Sequence, residues 1–98
     1  MNKTDFVVIN PKVKARKEDF GKLLVLSGLP LLSINSDAEF IWELCNEKIS
    51  ISDMVLKCTE HFNSSNEIVE EKVLDFIKKL TYLKLISVET DKIDYEKK

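Results

Sequence analysis

The 98-residue chain has two glycines, two prolines, two cysteines and a single histidine. Each scarcity excludes something. Gly21 and Gly28 stand alone, so no glycine-rich loop can cradle a phosphate, and long flexible linkers are ruled out. With His61 as the only histidine, a His-based nucleophile has one candidate base, and no acidic residue is spaced to orient it. His61 reads instead as a surface residue placed favourably near a helix C-terminus. Cys45 and Cys58 have no further Cys or His at ligand spacing, which argues against a metal site. They read as small buried hydrophobes in a reducing compartment. No apolar run approaches the ~20 residues of a membrane span, and Met1–Asp5 shows no signal-peptide core. A cytoplasmic protein without metal, cofactor or membrane contact is expected.

What is present is ordinary for one globular domain over residues 1–98: 44% apolar residues, 33% charged, and a formal charge of -2. Residues 6–9 form a brief apolar patch closed by Asn10-Pro11. Around Val13 and Ala15 a short edge strand is expected, then Lys22–Leu26 and Leu29–Ile34 as two more, joined by tight turns near Gly21 and Gly28. Three strands so close together imply an antiparallel meander.

Helices follow. The first is expected to start with Ser36 or Asp37 as N-cap and to bury Ala38, Ile41, Trp42 and Cys45. Ser50 or Ser52 is expected to cap the second, whose stripe is Met54, Val55, Cys58 and Phe62. Asn63–Asn66 is a loop, and Ser64 with Glu67 matches a capping box for the third helix. There Val69, Val73, Phe76, Leu80 and Leu83 fall within about 40° of one direction at ~100° per residue. Leu85–Val88 reads as a last short strand or arm, and Asp91–Lys98 as a frayed charged tail. The fold class expected is α+β: a three-stranded antiparallel sheet followed by three helices, in the manner of a winged helix-turn-helix.

Such a layout serves nucleic-acid or peptide recognition. For an enzyme, the carboxylates Glu67, Glu70, Glu71 and Asp75 are better explained as a solvated helix face than as acid-base pairs. For a winged-helix DNA-binding regulator, the third helix carries Lys72, Lys78, Lys79 and Lys84, but its own acids cancel them, and phosphate affinity needs a cationic excess. For peptide recognition, the strand Leu29–Asn35 has one proline at its start and no charge, although proteins normally blunt free edges with both. Beside it, the helix side bearing Ile68, Lys72, Asp75, Phe76 and Lys79 mixes apolar and ionic groups. A peptide could add a strand there and insert alternate side chains against the helix. Equally, Leu31, Leu32 and Ile34 could simply fill the core.

Asn10-Pro11, Leu23–Leu26, Leu32–Asn35 with Ala38, Ile41-Trp42 and Leu44-Cys45, and later Ile51, Met54-Val55, Phe62, Val73, Phe76-Ile77, Leu80 and Leu85-Ile86 together resemble the PqqD-like proteins. The likeness covers about residues 10–88 and lies in the order and spacing of soft apolar motifs. It implies a stand-alone recognition element for ribosomally made, post-translationally modified peptides, without catalysis of its own. The leader of a precursor peptide would bind as an added strand in a groove between the strand Leu29–Ile34 and the third helix. It would then be presented to a modifying enzyme such as a radical-SAM maturase or a leader peptidase. Carried onto this chain, the contact set is Leu29, Leu31, Leu32, Ser33, Ile34, Ile68, Lys72, Val73, Asp75, Phe76 and Lys79. Asn46-Glu47 stands where the family often has an acidic residue and glycine. Lys72 stands where many relatives are acidic, which implies a leader with an acidic group. An open edge also allows the free protein to be a monomer or an edge-paired dimer.

Overall fold

A computed structural model describes residues 2–90 of the chain, and the charged segment from Asp91 lies outside the described residues. Its order is β1 (Phe6–Ile9), β2 (Val13–Glu18), β3 (Gly21–Leu26), β4 (Leu29–Ile34), α1 (Ser36–Cys45), α2 (Ile51–Phe62), α3 (Asn66–Tyr82) and β5 (Ile86–Glu89). The expected α+β layout is present. β2, β3 and β4 form an antiparallel meander in that spatial order, so β4 is an edge strand. Ser27 and Gly28, both at positive φ, make the two-residue connection between β3 and β4, the conformation whose twist matches flanking strands.

A second, two-stranded sheet joins the two ends of the chain. The apolar patch at residues 6–9 is β1, and it pairs antiparallel with β5 from Phe6↔Glu89 to Ile9↔Ile86. The same N-terminal segment tethers α2. Its first-turn donors Ile51 and Ser52 donate to the carbonyls of Asp5 and Lys3, while Asp53 donates to the Ser50 hydroxyl. Ser50 is therefore the cap of α2, one of the two residues expected, and the backbone just before β1 satisfies donors that a side chain would otherwise have to meet.

Two other caps fall on neighbours of the residues expected. Asn35 caps α1 in place of Ser36 or Asp37: its backbone is extended and its side-chain carbonyl accepts from the Ala38 N–H. Ser65, not Ser64, caps α3 by accepting from Ile68, so the Ser64–Glu67 box does not form. The α3 stripe also turns slightly. Val69, Val73, Ile77 and Leu80 are buried, whereas Phe76 and Leu83 are half-buried. That rotation leaves Phe76 at the margin of the core, where it can meet something else.

The core gathers Leu24 and Ile34 from the meander, Val7 and Ile86 from the small sheet, and the inner faces of all three helices. Trp42 is 4% exposed and sits within it. Lys22 on β3 reaches across to Glu39 and Glu43 of α1 and ties the sheet to the helix. Cys45 and Cys58 are buried free thiols, as the sequence reading expects. Burial pushes their pKa values up, to about 12 and about 11. At pH 8 the native protein should react with a disulfide reagent at least about a hundredfold more slowly than the urea-unfolded chain, because only thiolate is nucleophilic. The unfolded thiols, at 9.0, ionise first as the pH rises. Their burial thus contributes stability that is full below pH 9 and declines as the pH climbs toward 11.

Candidate functional site

A groove of about 540 Å³ opens between the β4–α1 corner and α3. Asn35, at the end of β4, and Asp37, Ala38 and Ile41 of α1 form one wall. Ile68, Val69, Lys72, Val73 and Phe76 of α3 form the other, with Phe62 and Ser64 closing one end. Apart from Asp37 and Lys72, the lining is uncharged and mostly apolar.

Each wall is held from behind. Asn35 is fixed by its own capping bond to Ala38. Replacing it with alanine should lower stability by about 1 kcal/mol, measurable by urea denaturation, since the first turn of α1 loses an acceptor. Phe62 is positioned by an aromatic cluster at the junction of α1 and α2. Phe40 stacks on His61 with centroids 3.7 Å apart and planes 7° from parallel, and Phe62 meets both rings edge-on. The lone histidine thus joins two helices, a packing role its position near the α2 C-terminus did not reveal. On the other wall, Val73 (1% exposed) is core and groove floor at once, while Ile68 is 53% exposed.

β4 ends at this groove, since the residue that follows it, Asn35, is part of one wall. In the β3–β4 register, Leu32 faces Leu24 and Pro30 faces Val25, so Leu31 is an extra residue at a β-bulge. A two-residue hairpin makes Leu26 and Leu29 the pair that exchanges hydrogen bonds. The next residue, Pro30, then turns its nitrogen outward, where a missing N–H costs nothing. Past the bulge the alternation places Ser33 in the same outward phase. Ser33 is exposed, and its backbone donor and acceptor point away from β3.

The residues expected from sequence therefore divide. Ile68, Lys72, Val73 and Phe76 line the groove together. Asp75 and Lys79 are exposed on α3 and do not line it. On β4, Ile34 is buried in the core and Leu31 and Leu32 pack against it, while Leu29 is exposed beside the hairpin turn. What β4 offers is backbone rather than side chains. Sequence reasoning missed Asn35, Asp37, Ala38, Ile41, Phe62, Ser64 and Val69 as lining residues. Ile41 and Phe62 carried the signal of core stripe residues, which conceals that one end of each stripe is open.

Among the described residues, no three of His, Cys, Asp or Glu converge in a way that could hold a metal ion, and no helix is long and apolar enough to cross a membrane. Fold and groove together define a small α+β domain with a winged helix-turn-helix arrangement and an accessible strand edge. The chain belongs to the family of coenzyme PQQ synthesis protein D (PqqD), which matches residues 23–86, from β3 to the first residue of β5. Members of this family are accessory proteins rather than catalysts. No curated protein and no solved structure matches the chain. β1 and β2 lie before the matched residues, and all of β5 but its first residue lies after them.

Proposed function

We propose that this protein binds the leader of a ribosomally made precursor peptide as a strand added to the free edge of β4, and presents it to a modifying enzyme. The observation that carries this reading is an uncharged, outward-facing backbone at Ser33, two residues before Asn35 in the wall of an apolar groove along α3. A strand hydrogen-bonded at Ser33 sends alternate side chains toward the groove, the recognition mode in which main-chain bonds supply affinity and pockets supply selectivity. Membership of the PqqD family supports a role as an accessory protein that handles a peptide.

Binding in this mode involves no bond making. A flexible leader loses conformational entropy on docking, and the added strand's hydrogen bonds with one or two buried apolar anchors offset it. Holding leader and enzyme together raises the local concentration of the core peptide at the enzyme's active site. A radical-SAM maturase or a leader peptidase is the class of enzyme served, and the compartment is the cytoplasm. Exposed charges on α1 and α2 offer a surface for that enzyme away from the groove.

An amide-resolved NMR titration tests the reading, using the leader of a precursor peptide encoded beside this protein and a short DNA duplex as control. Shifts confined to residues 29–35 and 62–79, seen with the leader alone, are the expected result. Silence with the leader and salt-dependent shifts with DNA would transfer the assignment to a winged-helix regulator of transcription.

A further inference from the structure

The α3 wall of the groove carries a ladder at helical spacing: Ile68, Lys72 and Phe76, each four residues from the next. Four residues of helix advance about 6 Å. Two residues of an extended strand advance about 6.6 Å. A peptide strand running beside α3 therefore keeps step with this ladder over three rungs, presenting side chains i, i+2 and i+4 to Ile68, Lys72 and Phe76 in turn. The outer rungs are apolar and open: Ile68 is 53% exposed and Phe76 is half-buried. The central rung is a cation that forms no ion pair among the described residues, although Asp75 lies on the next turn of the same helix. Asp37, on the facing wall, is the other charged side chain of the groove and disfavours a second acid.

Resting on the peptide-binding reading above, we infer that the groove selects a leader segment in which a single Asp or Glu is flanked at two residues on each side by large apolar residues. The pattern is the same read in either direction, so it holds whether the added strand runs parallel or antiparallel to β4. The apolar pair supplies buried area against Ile68 and Phe76. The carboxylate meets Lys72 at the groove's margin, where an ion pair contributes modestly to affinity and strongly to choice of partner.

The test is selection from an mRNA-displayed library of random 12-residue peptides against three full-length proteins: wild type, Lys72→Glu and Ser33→Pro. Wild type should enrich the apolar-x-acid-x-apolar pattern. Lys72→Glu should enrich the same apolar spacing with Lys or Arg at the centre. A wild-type-selected peptide, labelled for fluorescence anisotropy, should bind Lys72→Glu about tenfold more weakly and recover when its acid is changed to lysine. If wild type and Lys72→Glu select the same peptides while Ser33→Pro selects none, strand addition stands and the acid-centred pattern is overturned. If no peptide is enriched, or Ser33→Pro selects what wild type selects, the peptide-binding reading falls and this inference with it.

Discussion

Replacing Gly21 with alanine is expected to be among the most damaging single changes in this protein, lowering stability by about 2–4 kcal/mol and the melting temperature by more than about 10 °C. Gly21 opens β3 at φ +144°, a conformation that L side chains rarely adopt. A Cβ there would lie 2.1 Å from the Ile34 carbonyl oxygen and 3.1 Å from backbone atoms of Asn35. Those neighbours are main chain at the corner where β4 becomes α1, so nothing flexible can yield. Gly28 provides the internal comparison. Its φ is +80°, but a Cβ would meet nothing within 4 Å. Gly28→Ala should therefore cost only the conformational strain, about 1–2 kcal/mol. Urea denaturation of both variants checks the pair. Equal losses would mean that the β4–α1 corner shifts freely, and the groove wall at Asn35 would not be the rigid feature its packing implies. The corner also carries Ser33 and Asn35, so any folded fraction of Gly21→Ala should bind peptide weakly.

Ser33→Pro should have the opposite signature, leaving the fold nearly intact and removing binding. Ser33 is exposed and shares its outward phase with Pro30, which shows that this edge accommodates a proline ring. The substitution removes the outward N–H and puts the ring where the added strand would lie. Losing that bond and the close approach together should weaken leader binding by about 2 kcal/mol or more, roughly thirtyfold. Ser33→Ala, which keeps the N–H, should bind within about twofold of wild type. Calorimetric titration of the three proteins separates the cases. Unchanged affinity in a folded Ser33→Pro protein would exclude strand addition at β4.

Lys72→Glu differs from both, because it should alter which peptide binds while leaving stability within about 0.5 kcal/mol, as befits an exposed side chain without an ion pair among the described residues. The three substitutions are thus expected to act on separate properties: Gly21 on the frame, Ser33 on capture, Lys72 on selectivity.

The sequence by itself determined the elements and most of their inner faces. Periodicity is local, so Ile41, Trp42 and Cys45, or Met54, Val55 and Cys58, announce a buried face wherever their helix docks. The charge-free run after Pro30 and the cation at residue 72 were equally legible, being statements about composition at one place. Tertiary structure alone decided the rest. β1 pairs with β5 across nearly eighty residues of chain, and nothing local in Phe6–Ile9 names that partner. The bulge at Leu31 arises from the β3–β4 register, and it alone brings Ser33 to the outward phase. Asn35 rather than Ser36 caps α1 because its backbone is the one held extended at the close approach to Gly21. Membership of the groove is likewise a matter of what is missing opposite a stripe: Phe62 and Ile41 pack with the core, and only the gap between the β4–α1 corner and α3 makes them groove lining as well. A candidate site made from an unpaired edge and an unfilled gap is defined by absent neighbours, and neighbours are what a one-dimensional pattern does not contain.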